Sequence, residues 1–154
     1  MSSARSTEDL DKWGTFALTL LHFESIPPRT IDLRDVVSSG SRQFFKDIGF
    51  GRSFGIVSAQ DPMGTRQIAS ENARLAASLH QELAAAGLAH VRVNACSPDG
   101  SHCEKSVAIA LDVQSVVDLA DRYRQLAAFW FDGDCFWIIP VRSTLPKVRL
   151  PTLA

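Results

Sequence analysis

Hydrophobic and polar positions follow two different periods along the chain. Residues 54–59 form a short apolar run, which predicts a buried strand. Residues 60–65 contain aspartate, proline and glycine, the residue types of a sharp turn. Beyond this turn, apolar side chains recur every three to four residues, which predicts an amphipathic helix over 68–86. Gly87 is well placed to end that helix, and the rest of the chain is arranged around this unit.

The same two periods predict further strands and helices on either side of this unit. The predicted strands lie at 13–24, 88–94, 105–112, 127–131 and 135–141, and the predicted helices lie at 42–48 and 115–125. Both faces of residues 13–24 are apolar, which is typical of a strand covered on both sides. The Ser-Pro-Asp-Gly sequence at 97–100 favours a turn, so the strands before and after it can pair antiparallel. Asp132 and Gly133 form the strongest hairpin signal in the chain.

These segments do not alternate as regular strand-helix-strand units. Their order predicts an α+β fold, a single domain with a mixed, mostly antiparallel sheet and two main helices packed on it. We expect this domain over 13–141, after a disordered N-terminal arm at 1–12 and before an irregular C-terminal tail at 142–154. A chain of 154 residues with 45% hydrophobic content is long enough to bury such a core.

Composition and charge narrow the classes of function only slightly. Charged residues make up 21% of the chain and the net charge is -1, whereas nucleic-acid-binding domains are usually basic, so nucleic acid is a disfavoured partner. No apolar run approaches the roughly twenty residues of a membrane span. The polar N-terminus lacks the apolar core of a signal peptide. Together these features predict a cytoplasmic protein with no membrane partner.

The three cysteines are Cys96, Cys103 and Cys135, an odd number at irregular spacing. Free thiols in a reducing cytosol are the simpler interpretation of this pattern. Cys96, His102 and Cys103 are ligand types that suit zinc. Their spacing does not match a Cys-x-x-Cys knuckle, and a fourth ligand such as His90 would be needed. These three residues are therefore weak metal candidates, and no metal or other cofactor is expected.

Asn72 interrupts the apolar face of the helix predicted over 68–86. A buried amide must find hydrogen-bond partners, or it costs roughly 1–3 kcal/mol of stability. The nearest polar groups are backbone atoms of the turn at 60–65. Asn72 therefore either holds that turn in place, or lines a binding pocket together with it at the end of the strand.

Acidic residues and a histidine form the best candidate for chemistry. Asp61, Asp99 and Glu104 lie in predicted loops or strand ends, with His102 close to them in sequence. Two carboxylates and an imidazole can act as general acid and base, or can hold a metal ion. Asp61 and Asp99 are also ordinary turn residues, since a proline or a glycine follows each of them.

Four short motifs, taken in order, resemble a known family. They are Ser58-Ala59-Gln60-Asp61-Pro62, Glu71-Asn72, Asp99-Gly100 with Glu104, and Gln125 with Ala127. This order is similar to a bacterial family of uncharacterised proteins catalogued as domain of unknown function 3293, and the resemblance covers about 16–141. Ser58, Asp61 and Arg124 stand where the family usually has Thr, Asn and Gly. The name of this family assigns no activity to its members.

The resemblance implies only that four residues match the family's characteristic polar positions. These residues are Asp61, Asn72, Glu104 and Gln125. With Ser58 and Asp99 added, they form the predicted binding residues. The favoured hypothesis is a small bacterial protein that binds a small ligand or a protein. The alternative is a hydrolase or nuclease-type enzyme that uses Asp61, Glu104 and His102.

The terminal hairpin suggests one further hypothesis. It carries four large aromatic side chains, and alternation points them to opposite faces of the sheet. They are Trp130, Phe131, Phe136 and Trp137. Pro140 predicts that the strand at 135–141 lies at a sheet edge. Core packing explains these aromatic residues, and a homodimer through this edge strand is the alternative.

Overall fold

An eight-stranded antiparallel sheet forms the centre of the molecule, as seen in a computed structural model that describes residues 7–152. The strands are β1 (Leu20–Phe23), β2 (Arg29–Asp32), β3 (Phe54–Ser58), β4 (His90–Cys96), β5 (Cys103–Ile109), β6 (Ala127–Phe131), β7 (Phe136–Pro140) and β8 (Val148–Arg149). Their spatial order is β2-β1-β4-β5-β3-β6-β7-β8. Neighbouring strands of the described sheet are all antiparallel. The predicted α+β class is confirmed.

Helices cover both faces of this sheet. They are α1 (Thr7–Phe16), α2 (Ser39–Asp47), α3 (Ala69–Ala85) and α4 (Val113–Arg122), and a single 3₁₀ turn lies at Pro62–Gly64. The two main helices of the prediction, α3 and α4, pack on one face, where Leu79 and Leu119 meet Val57. On the opposite face, α1 and α2 contribute Trp13 and Phe45 to a second cluster.

Strand β3 lies near the middle of the sheet, between β5 and β6. All five of its residues are buried, because the sheet pairs on both sides and helices cover both faces. Strand β3 and helix α4 approach closely at Gly55, since a Cβ atom placed on this residue would clash with a methyl group of Val116. The glycine therefore lets α4 approach the sheet.

The N-terminal prediction is wrong in part. The strand expected over 13–24 is limited to β1, because α1 continues to Phe16. Trp13 and Ala17 are buried on the sheet, and their spacing of four residues fits a helical turn as well as a strand. The arm expected at 1–12 is helical from Thr7 onward, and its residues 1–6 lie outside the described part of the chain.

The terminal segments differ from expectation in two further ways. Strand β7 is not the outer strand of the sheet, because β8 pairs with it at Trp137 and Ile138. The homodimer hypothesis therefore loses the free edge on which it depended. The tail expected at 142–154 is packed over its described residues, with Leu145 and Leu150 buried.

Aromatic packing explains much of the terminal hairpin. Phe131 and Phe136 lie in the core. The centroid of the Phe45 ring is 4.9 Å from the centroid of the Phe131 ring. Trp130 points to the opposite face and packs against the cluster formed by α3 and α4. Within residues 7–152, none of the helices has the length and apolar character needed to cross a membrane.

Candidate functional site

A pocket of about 330 Å³ opens between α1 and the sheet. Its floor is formed by side chains from one face of the central strands, namely Ile56, Ser58, Ala95, Ser106 and Phe129. Thr15 and Phe16 of α1 form part of the wall. The floor contains small residues, so the helix and the sheet leave space between them. Serine and alanine on this face thus create the pocket.

Asp61, His102 and Glu104 come together at one end of this pocket. One ligand atom from each side chain lies within 4.8 Å of the corresponding atoms of the other two. Nε2 of His102 is 3.9 Å from Oε1 of Glu104. Asp61 follows β3, and Glu104 belongs to the adjacent strand β5, so the sheet places these loop and strand residues side by side. Three members of the acid–histidine cluster predicted from the sequence thus lie together, whereas the fourth, Asp99, is not among them.

Hydrogen bonds fix the position of Asp61. The side chain of Asn72 accepts from the backbone N–H of Asp61 and donates to its Oδ1, both at 2.9 Å. The same Oδ1 accepts from the backbone N–H of Gln67 at 2.8 Å. Asp61 has a φ of 48°, in the left-handed region that aspartate and asparagine tolerate. Asn72 thus holds the turn, as one of the two sequence interpretations predicted.

Glu104 is the most perturbed acid of the cluster. Burial and the nearby carboxylate of Asp61 raise the pKa of Glu104 to about 7. Its side chain is 25% exposed, and within residues 7–152 no hydrogen-bond donor contacts its carboxyl group. A carboxyl group with this pKa can accept or donate a proton near neutral pH.

A disulfide bond closes the hairpin that carries His102. Cys96 and Cys103 face each other in the register of β4 and β5, and their sulfur atoms are bonded. The prediction of free thiols is therefore wrong for these two residues. The two cysteines flank the predicted turn at 97–100, one before it and one after it, a signal from which their pairing could have been recognised.

Cys96, His102 and Cys103, the weak zinc candidates, do not form a zinc site in this oxidised structure, because disulfide sulfurs are not thiolate ligands. Cys135, in contrast, is a free and buried cysteine. His102 instead joins Asp61 and Glu104 at the pocket.

Asp99 has a role within the hairpin turn. Its Oδ1 accepts hydrogen bonds from the hydroxyl of Ser97 and from both the backbone N–H and the hydroxyl of Ser101, at 2.7–3.0 Å. These bonds lower the pKa of Asp99 to about 2. Asp99 and Asn72 do not line the pocket. The predicted binding residues that do line it are Ser58, Asp61, Glu104 and Gln125.

Gln125 connects the end of α4 to the turn after β3. Its Nε2 donates to the backbone oxygens of Gln60 and Tyr123, at 3.0 and 3.1 Å. The preceding residue, Arg124, has a φ of 55°, and its backbone oxygen accepts from the N–H of Met63 at 2.6 Å. Glycine, the usual residue of the resembled family at this position, adopts such a φ readily.

Sequence reasoning missed the contribution of α1 and of the loop before α3. Lys12 and Arg66 both line the pocket and bring positive charge to a site whose other charged groups are acidic. The sequence pattern places Lys12 in the predicted arm and the last residues of α1 in a predicted strand. The spacing of Lys12, Thr15 and Phe16, which fits one face of a helix, could have indicated this wall.

The fold and the pocket define a single-domain α+β protein with an acidic cluster beside an apolar cavity. A family model described as "Protein of unknown function (DUF3293)" matches residues 57–128. This match confirms the family resemblance, and its range contains Ser58, Asp61, Asn72, Glu104 and Gln125. The chain shows no significant similarity to any curated protein or to any solved structure.

Proposed function

We propose that this protein binds a small organic molecule in the pocket between α1 and the sheet. The observation that carries this proposal is a cavity of about 330 Å³ with polar groups gathered at one end. Small-molecule sites are concave, largely apolar and typically about 300–1,000 Å³ in volume. The cavity is at the lower end of that range, which favours a compact ligand over a protein segment.

The lining indicates the chemistry of the ligand. Ile56, Phe129 and Ile138 offer an apolar surface to its body. Asp61 and Glu104, with His102 beside them, offer hydrogen-bonding groups to a polar end. We therefore propose a ligand with an apolar body and one polar end group.

The site residues are proposed in two groups. Ser58, Asp61, Glu104 and Gln125 contact the ligand, since each lines the cavity. Asn72 acts by positioning Asp61. We do not propose a cytoplasmic location, because disulfides such as Cys96–Cys103 are rare in cytosolic proteins.

A substitution that fills the pocket tests this proposal. Ala95 lies on the floor, and Ala95→Leu places a larger side chain there. Ala86→Leu is the matched control, because Ala86 is exposed at the end of α3. A library of small molecules is screened against the wild type by thermal shift. Compounds that stabilise the wild type should also stabilise Ala86→Leu and should lose their effect on Ala95→Leu. Equal stabilisation of both variants, or no binding by any compound, would overturn the proposal.

A second candidate function is hydrolysis by acid–base catalysis. The observation that favours it is Glu104, whose pKa of about 7 suits a general acid or base at neutral pH. Asp61 and His102 would then orient the substrate or the attacking water. Carboxylic and phosphoric ester model substrates test this candidate with wild type and Glu104→Gln. Loss of hydrolysis without a lower melting temperature supports it, and equal rates reject it.

A further inference from the structure

We propose that Asp61, His102 and Glu104 bind a divalent transition-metal ion of the zinc type. The set supplies two carboxylate oxygens and one imidazole nitrogen, all within 4.8 Å of one another. Zinc sites that keep one coordination position open have three protein ligands, and histidine and carboxylate side chains are among the ligand types that zinc accepts. That open position would face the pocket, because all three residues line it.

The distance between His102 and Glu104 is close to the one that a bound ion requires. With metal–ligand bonds of about 2.0–2.2 Å, the ligand atoms of a tetrahedral site lie roughly 3.3–3.6 Å apart. Nε2 of His102 and Oε1 of Glu104 are 3.9 Å apart. The side chain of His102 is 50% exposed, so it has room for the small movement that would shorten this distance.

Glu104 lacks a hydrogen-bond donor among the described residues, which is a second reason to expect a cation. Two carboxylates face each other, and Glu104 receives no hydrogen bond from any residue of the described chain. Arg66 lies near the pocket but forms no ion pair with either acid among residues 7–152. A metal ion would neutralise both carboxylates.

The surrounding structure holds the ligands in place. Asn72 and Gln67 orient Asp61 through Oδ1, a role that outer-shell residues have in metal sites. His102 and Glu104 flank Cys103, whose disulfide to Cys96 ties the hairpin together. The three ligands thus come from two elements that are already fixed relative to each other.

This inference goes beyond the proposed ligand pocket, and it is tested with zinc alone. Zinc chloride is titrated by calorimetry into metal-free protein under non-reducing conditions. We expect one ion per chain in the wild type. His102→Gln and Glu104→Gln should each weaken binding by at least about 10-fold, the loss seen even when outer-shell partners of a metal site are removed. Thermal melts of both variants verify folding, and His102 is exposed enough for its variant to remain folded.

Two control variants locate the site. Asp99→Asn removes an acid from the same hairpin without touching the cluster, and His80→Gln removes one member of a separate histidine pair. Both should bind zinc as the wild type does. Absence of binding to the wild type would overturn the inference. So would binding that only His80→Gln abolishes, or binding that is seen only after reduction of the disulfide. Since no organic ligand is used, failure here is distinct from failure of the Ala95→Leu test.

Discussion

Asn72 and Asp61 are bound to each other reciprocally. Asn72 Oδ1 accepts from the Asp61 N–H, and Asn72 Nδ2 donates to Asp61 Oδ1, with both distances at 2.9 Å. A helix residue thereby stabilises a turn residue whose backbone has a φ of 48°. The pair satisfies a buried amide and, at the same time, fixes one acid of the candidate site.

Replacing Asn72 with alanine should remove both bonds and leave buried polar groups of the turn unsatisfied. The free energy of unfolding should fall by about 1–3 kcal/mol, measured by urea denaturation. Arg74→Ala is the matched control on the same helix, because Arg74 forms only an exposed ion pair with Glu71. Arg74→Ala should lower stability much less than Asn72→Ala, because exposed ion pairs contribute little to stability. Similar losses for both variants would contradict the role given to Asn72.

Glu104 should make stability depend on pH. Its pKa is about 7 in the folded protein and 4.5 ordinarily, so between these pH values the folded state binds more protons than the unfolded state. Stability contributed by this group is therefore fully present below about pH 4.5 and is lost as pH rises through 7. Glu104→Gln should abolish that loss, and its gain over the wild type from pH 4.5 to 8 should be on the order of 1–3 kcal/mol.

The free energy of unfolding is measured by urea denaturation at pH 4.5 and at about pH 8, with a chelator present. Asp99→Asn provides the contrast, because the pKa of Asp99 is lowered to about 2. The stability that Asp99 contributes is present above its ordinary pKa of 3.8 and is lost as pH falls through 2. Its variant should therefore run parallel to the wild type from pH 4.5 to 8. A Glu104→Gln profile that also runs parallel would count against the raised pKa.

The Cys96–Cys103 disulfide predicts a definite labelling pattern. Protein unfolded without reductant should take up one alkylating group, on Cys135, and after reduction it should take up three. Intact-mass spectrometry distinguishes the two states. The double variant Cys96→Ser with Cys103→Ser should take up one group under both conditions. Three labels on the unreduced wild type would disprove the bond.

Gly55 should resist replacement because α4 lies directly over it. Gly55→Ala brings a Cβ atom to 2.4 Å from Val116, and such overpacking typically costs about 1–3 kcal/mol. Gly51→Ala is the control, since no atom lies within 4 Å of a Cβ there. Val116→Ala should recover part of the loss in the double variant, as measured by a double-mutant cycle. An additive double variant would show that the two positions do not clash.

Local pattern predicted the central unit well. The strand at 54–59, the turn and the helix at 68–86 correspond to β3, the 3₁₀ turn and α3, because each has one clear period. The prediction of one strand over 13–24 is wrong for the opposite reason. With apolar side chains at most positions, these residues fit period two and period 3.6 alike, and only packing against the sheet decides between helix and strand.

The sequence predicts which residues belong to the candidate site. It does not predict how they are arranged in space. Asp61, Glu104 and His102 were recognised as polar residues at strand ends and loops. Their meeting depends on β3 pairing with β5, although α3 and β4 intervene in sequence. That pairing follows from the tertiary arrangement of the sheet. The pocket wall was missed because it depends on α1, which the apolar pattern misassigned.

The contact between Trp13 and Pro146 has a consequence for the order in which the protein is made. The indole Nε1 of Trp13 donates to the backbone oxygen of Pro146 at 3.0 Å, across 133 residues of sequence. During translation, at about 5–20 residues per second, the helix waits on the order of ten seconds for this partner. Until Pro146 leaves the ribosome, the indole of Trp13 lacks this hydrogen-bond acceptor. The cavity is also completed late in biosynthesis, because Ile138 of β7 is part of its lining and is made after most of the sheet.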